Sequence, residues 1–153
     1  MLSGTINGGS QTGVGAGGLV AQNKGLIKDS SSAANVSVGN SNSPGSLNVA
    51  GGLVATNLGT ITGSSASGNV TGGAFSVIGG LVGQNGLFNS GSGSIISSFA
   101  TGNVFSAGIF SSLGGLAGFN SPGSTITGSY ATGSVTSTAN VGQNGPNCAA
   151  SNS

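Results

Sequence analysis

The sequence predicts an all-β protein: a single-stranded parallel β-helix (β-solenoid) of about four to five coils. Three observations carry this expectation. A glycine-rich phrase recurs four times, as GGLVAQN from Gly17, GGLVATN from Gly51, GGLVGQN from Gly79 and GGLAGFN from Gly114. Downstream of each copy stands an Ile followed nine residues later by a Val: Ile27 and Val36, Ile61 and Val70, Ile95 and Val104, Ile126 and Val135. Finally, 33 of the 153 residues are Gly. At up to ~1 kcal/mol per helical Gly, that density excludes helices, and apolar residues alternate rather than recur at helical spacing.

The ungapped segments IKDSSSAANV, ITGSSASGNV, IISSFATGNV and ITGSYATGSV fix the repeat. Pieces such as GLVG, TITGSYA and NVTG read as short strands punctuated by Gly and Asn. Three such strands per coil of about 28–35 residues are expected. A single coil cannot order itself, because burying an aliphatic contributes roughly 1.5–3 kcal/mol against about 1–2 kcal/mol per ordered residue. Stacked coils pair their backbones across a step of about 4.8 Å. Leu, Ile and Val are expected in internal stacks, with Ser, Thr and Asn mostly outside. Gly and Asn should supply the left-handed corners.

The elements follow in chain order. Thr5-Ile6 with Thr12-Gly13-Val14 reads as a shortened downstream half of a repeat. The repeat cores span about residues 17–36, 51–70, 79–104 and 114–135 of a domain covering 1–145. Ser41–Leu47, with Pro44, is a bulging loop, and Gly86–Gly93 and Ser121–Ser124 are loop insertions. Val141-Gly142-Gln143-Asn144 echoes Val82-Gly83-Gln84-Asn85, and residues 146–153 read as a frayed tail.

Gly80-Leu81-Val82-Gly83 and Gly115-Leu116-Ala117-Gly118, continued by Ser98–Val104 and Ser129–Val135, closely resemble the GLUG repeat. Copies one and two depart from it, with Ala21 and Ala55 for the last Gly, and copy one has Ala33-Ala34 in place of the Thr-Gly corner. The resemblance covers roughly residues 17–145. It implies a β-helical stalk or passenger region of a large bacterial surface or secreted protein, filamentous-haemagglutinin-like adhesins among them, and not its catalytic part.

Composition narrows the chemistry. The only charged residues are Lys24, Lys28 and Asp29, the net charge is +1, and His is absent. No clustered Lys or Arg is available to neutralise phosphates, so nucleic acid is not an expected partner. A phosphate cradle at Val14–Gly18 lacks the following helix, and no Gly-Lys-Ser/Thr occurs. Neither a Ser-His-Asp triad nor paired carboxylates can be assembled. A Ser–Lys nucleophile pair between Lys24 or Lys28 and Ser30–Ser32 has nothing to mark an oxyanion site; a solvated ion pair is the plainer reading. One Asp and the lone Cys148 cannot fill a zinc shell. No enzyme, no cofactor, and no catalytic, cofactor or metal residue is therefore expected. No apolar run approaches the ~20 residues that span a bilayer, and residues 1–10 lack the n- and h-regions of a signal peptide.

Non-enzymatic sites remain. Thr60-Ile61-Thr62 and Thr125-Ile126-Thr127 resemble the Thr arrays of ice-binding solenoids, but Leu26-Ile27-Lys28 and Ser94-Ile95-Ile96 break the pattern. Phe99 and Tyr130 share a repeat position where copies one and two have Ser31 and Ser65. They form either an outward sugar-binding ladder or ordinary cross-strand packing. Phe88 and Phe110 either cover the core or make an adhesive patch. The expected function is a structural or adhesive segment of an exported surface protein, a stiff stalk or passenger presenting loops for attachment. An ice- or carbohydrate-binding module is the alternative. The expected location is secreted or cell-surface, as part of a longer exported chain. Its expected partners are glycans or proteins of host or neighbouring cells, and self-association through uncapped solenoid ends.

Overall fold

The computed structural model describes residues 2–89 and 91–139. After β1 (Leu2–Asn7), the first coil contains β2 (Gly15–Gly17), β3 (Val20–Asn23), β4 (Leu26–Lys28) and β5 (Ser31–Val38). The second has β6 (Asn48–Gly51), β7 (Val54–Asn57), β8 (Thr60–Thr62), β9 (Ser65–Ala66) and β10 (Val70–Gly72). The third has β11 (Ser76–Gly79), β12 (Val82–Asn85), β13 (Ser94–Ile96), β14 (Phe99–Ala100) and β15 (Val104–Ser106). The fourth has β16 (Ser112–Gly114), β17 (Ala117–Asn120), β18 (Thr125–Thr127), β19 (Tyr130–Ala131) and β20 (Val135–Ser137).

Equivalent strands pair in parallel into four walls. The first is β2-β6-β11-β16, the second β3-β7-β12-β17 and the third β4-β8-β13-β18. The fourth wall is double, running β19-β14-β9-β5-β10-β15-β20, with β1 added on β5. The protein is thus a parallel β-solenoid of about four coils. The anchors read from the sequence stand in register: Ile27, Ile61, Ile95 and Ile126 on the third wall, Val36, Val70, Val104 and Val135 on the fourth. The segments 41–47 and 121–124, and the described residues of 86–93, lie between strands, as expected of loops.

Two apolar clusters fill the coil. One contains Leu53, Leu81, Ile61, Ile95, Ala66 and Ala100; the other contains Val36, Val70, Val104, Ala50 and Ile78. Burial is complete in the middle coils, where Leu53, Ile61, Leu81 and Ile95 are 0 % exposed. It fades at the end coils, where Leu19 and Ile126 are 41 % and 38 % exposed.

Several expectations need correction. Coils two to four have five short strand segments on four walls where three were expected, because a Ser-Gly or Thr-Gly corner splits the fourth wall. In coil one, Ala33-Ala34 replaces that corner, and β5 runs unbroken for eight residues. Ile6 takes the Val position opposite Val36, so residues 5–14 do not reproduce an Ile–Val pair. Asn23, Asn57 and Asn85 are buried, as are Ser64 and Ser98, so the polar residues do not all face outward. None of the described Asn residues has positive φ; among non-glycines only Asp29, Phe75, Ser97 and Phe110 do. Val141–Asn144, the 145 boundary, the 146–153 tail and Cys148 lie outside the described residues.

The inward Asn residues form a ladder instead. Asn23 Nδ2 donates to Asn57 Oδ1, Asn57 Nδ2 to Asn85 Oδ1 and Asn85 Nδ2 to Asn120 Oδ1, each at 2.8 Å. A second ladder runs where the third wall meets the fourth. The backbone N–H of Ser30, Ser64 and Ser98 donates to the hydroxyl of Ser64, Ser98 and Ser129 respectively, at 3.1–3.2 Å. A third, exposed ladder uses the Asn of the GNV phrase: the N–H of Asn69 and of Asn103 donates to Oδ1 of Asn35 and Asn69, each at 2.9 Å. Chain turning leaves backbone donors unpaired; the Ser and exposed Asn ladders satisfy them one coil away, and the inner Asn23 and Asn57 satisfy the N–H two residues on.

The glycines of the repeated Gly-Gly-Leu phrase have a different purpose from the one expected. Gly51, Gly79, Gly83 and Gly118 are not among the positive-φ residues. Their requirement is close approach, because the second wall folds back against the first. A Cβ on Gly118 would lie 2.6 Å from the Ile78 carbonyl oxygen; one on Gly83 would lie 2.6 Å from Val49 Cγ1 and 2.8 Å from the Ala50 carbonyl oxygen. Where this position carries Ala55, the facing residue is Gly15. Size is matched across the two walls, Ala against Gly and Gly against Val. Ser112 closes the contact by donating its hydroxyl to the Gly118 carbonyl at 2.8 Å.

Candidate functional site

Chemistry-bearing residues are few and scattered. Lys28 Nζ lies 3.9 Å from Asp29 Oδ2, with both side chains about two-thirds exposed or more (65 % and 72 %). Such a pair contributes about 0–1 kcal/mol. Ser30 donates its hydroxyl to the Lys28 carbonyl at 2.9 Å, and Ser32 is buried with its oxygen accepting from the Ala34 N–H. The Ser and Lys side chains are therefore not joined as nucleophile and base. Among the described residues no group of three or more His, Cys, Asp or Glu gathers.

The glycine phrase also fails as an anion cradle on geometry. The N–H groups of Gly18 and Leu19 donate to Gly51 and Leu53 carbonyls, and those of Gly52 and Leu53 to Gly79 and Leu81. A phosphate needs free N–H groups pointing at it, and here the next coil holds them. No helix of the described residues is long and apolar enough to cross a membrane, a statement that leaves strands aside.

The third wall places the two Thr triplets in register with Leu26-Ile27-Lys28 and Ser94-Ile95-Ile96. Its outward columns therefore read Leu, Thr, Ser, Thr and Lys, Thr, Ile, Thr. A regular Thr lattice is not present. On the fourth wall Phe99 pairs with Tyr130, and their rings stack at 5.3 Å with planes 7° apart. Tyr130 is 52 % exposed and Phe99 half-buried, so the pair stacks across neighbouring strands with only two aromatic rungs.

A concave feature lies elsewhere. Beside the first and second walls lies a cleft lined in part by Pro44 and Leu47 of one long loop and by Phe88 of another. Two adjoining cavities, each about 420 Å³, share Pro44, Leu47 and Phe88. Gln84 and Val49 complete the first; Phe75, Phe110 and Phe119 contribute to the second. Phe75 and Phe110 stack at 5.3 Å with planes 8° apart, and Phe88 meets Phe119 at 4.4 Å. The two residues flagged by sequence, Phe88 and Phe110, thus line one groove rather than covering the core.

Phe75, Phe119 and Gln84 were missed by sequence reasoning. The register pairs Val77 with Ser112, which makes Phe75 and Phe110 equivalents two residues earlier. That equivalence was hidden because the interval from Val to the next Leu varies, at 17, 11 and 12 residues.

The family model described as the GLUG motif matches residues 111–136. That span contains all of the fourth coil's strands except the last residue of β20, and the three coils before it are paired to it in register. The matched span is about one coil long, and the GLUG repeat it matches occurs in bacterial surface and adhesin-like proteins. Comparison with curated proteins and with solved structures gave no match.

Proposed function

We propose that this chain is a stiff stalk or passenger segment of an exported bacterial surface protein, whose work is mechanical and presentational rather than catalytic. The observation that carries the reading is the continuity of the four walls. Each coil is fixed to the next by backbone pairing and by three side-chain ladders, and the two long loops stand together on one side. The GLUG motif supports the same setting, at the cell surface or beyond it. The reading is tested by placing the chain between a surface anchor and a fluorescent label on a bacterial cell. Four coils at about 4.8 Å each should raise the label by about 19 Å, and two tandem copies by about twice that. Equal label heights with one copy and with two would end the stalk reading.

Self-association through the solenoid ends belongs to the same proposal. β2, β3 and β4 are edge strands, and the nearby Leu19 and Leu26 are 41 % and 65 % exposed. Unpaired edges recruit further strands unless charge blocks them. Light scattering of the isolated chain should show mass rising with concentration. Leu19→Lys with Leu26→Lys should return it towards a monomer. A parent chain that stays monomeric throughout would refute this part.

A further inference from the structure

We propose that the cleft mouth between the first and second walls binds an uncharged stretch of polypeptide through one aromatic side chain and an adjacent main-chain carbonyl. The proposal deepens the stalk reading by naming what the presented loops would hold. Binding is measurable on the chain alone, so its failure is distinguishable from failure of the stalk.

The first observation is Gln84. Its side chain is 4 % exposed, it lines the first cavity, and its Nε2 has no hydrogen-bond partner. An unsatisfied buried amide costs about 1–3 kcal/mol, and a structural role would be filled better by an apolar residue. Rotation about the broad terminal torsion of Gln exchanges the two ends of the amide. Nε2 is enclosed as it stands, and with the two ends exchanged the amide could offer its donor to a carbonyl oxygen in the cavity that Gln84 lines.

The second observation is backbone strain in the rings. Phe75 and Phe110 hold φ of 52° and 54°, and the equivalent of both in coil one is Gly13, at φ 75°. Glycine is at ease in this position, whereas a bulky residue there is disfavoured by about 1–3 kcal/mol. The two coils beside the loop at 86–93 nonetheless use Phe. The strain holds two stacked rings at the rim of the groove, opposite the Phe88–Phe119 pair. A further ring placed among them gains about 0.5–1.5 kcal/mol per pair beyond its burial.

The third observation selects the ligand class. Lys24, Lys28 and Asp29 do not line either cavity, so a charged group would be desolvated there without a partner. The serine hydroxyl protons of the groove are already committed. Ser76 donates to the Gly73 carbonyl at 2.7 Å, Ser111 to the same oxygen at 2.8 Å and Ser112 to Gly118 at 2.8 Å. A sugar would find serine lone pairs but one free donor, with most of its hydroxyls against phenyl rings. An aromatic side chain with one neighbouring carbonyl matches one apolar slot and one donor.

The test uses a capped pentapeptide of sequence Gly-Ala-Trp-Ala-Gly. The protein has no Trp, so indole fluorescence reports the peptide alone. Its anisotropy should rise with protein concentration. Gln84→Leu should weaken binding about tenfold while leaving the thermal midpoint unchanged or higher, since it removes the unpaired amide. Phe88→Ala, in an exposed loop, should weaken binding at least about tenfold with the fold intact. The same pentapeptide with Asp at both Ala positions should bind more weakly. No anisotropy change, or unaltered affinity in Gln84→Leu, would overturn the proposal. Displacement of the peptide by maltotriose at equal or lower concentration would overturn it in favour of a glycan site.

Discussion

Replacing Asn57 with alanine should lower the unfolding free energy by about 3–5 kcal/mol, at 1–3 kcal/mol for each buried group left unpaired. Asn57 is 0 % exposed and sits in mid-ladder. Its Nδ2 donates to Asn85 Oδ1 at 2.8 Å and to Ser94 O at 3.3 Å, and its Oδ1 accepts from Asn23 Nδ2 at 2.8 Å and from the Gly59 N–H at 3.3 Å. Alanine strands partners in both neighbouring coils at once. The same change at Asn35, whose Oδ1 accepts from the Asn69 N–H on the exposed face, should lower stability by about 1 kcal/mol or less, because water replaces the lost partner. Asn57→Asp should be worse than alanine at neutral pH, since a carboxylate would face three oxygen acceptors, the Asn85 side-chain oxygen and the Gly59 and Ser94 carbonyls. It should recover in acid, where the protonated group regains one donor. Denaturant unfolding of the three variants checks this, and equal losses at Asn57 and Asn35 would dismiss the inner ladder as a source of stability.

Gly83→Ala should lower stability by about 2–4 kcal/mol, in the range for overpacking a buried contact. The added carbon would meet Val49 Cγ1 at 2.6 Å and the carbonyl oxygens of Ala50 and Ala55 at 2.8 and 2.9 Å. Two of the three obstacles are main chain and cannot rotate away. Val49→Gly in the Gly83→Ala background should recover part of the loss, because it recreates the Ala-against-Gly match found between Ala55 and Gly15. The residual loss belongs to the carbonyls. Additive effects of the two changes would show that the walls do not sense each other's side chains at this point.

Much of the architecture was legible because stacking forces the sequence to repeat itself. Ile61 and Val70 could be read as core anchors since each coil must place an aliphatic over the last, at one interval. The Asn residues were misjudged for a physical reason. Their tolerance of left-handed backbone is a local property, whereas Asn57 is selected by what lies one coil above and below it. A linear sequence displays the first and conceals the second until the register is known. The scarcity of charge was legible directly, and in the structure the Ser30 hydroxyl bonds the Lys28 carbonyl while the Lys28 ammonium lies beside Asp29. The groove was illegible for the opposite reason: Phe75, Gln84 and Phe119 come from walls whose connecting loops vary in length, so no fixed spacing announces their meeting.

The inner Asn rungs are separated by 34, 28 and 35 residues, yet every rung closes at 2.8 Å. Contour length between rungs is therefore nearly free, while rung geometry is held constant. Two kinds of heritable change become independent in such a molecule. Unequal recombination between equivalent rungs would add or delete a whole turn and alter reach, with every ladder resealed. Insertions in the intervening loops would alter what is displayed, with no shift passed to the neighbouring turn. A gene for this kind of protein can lengthen and diversify along separate axes.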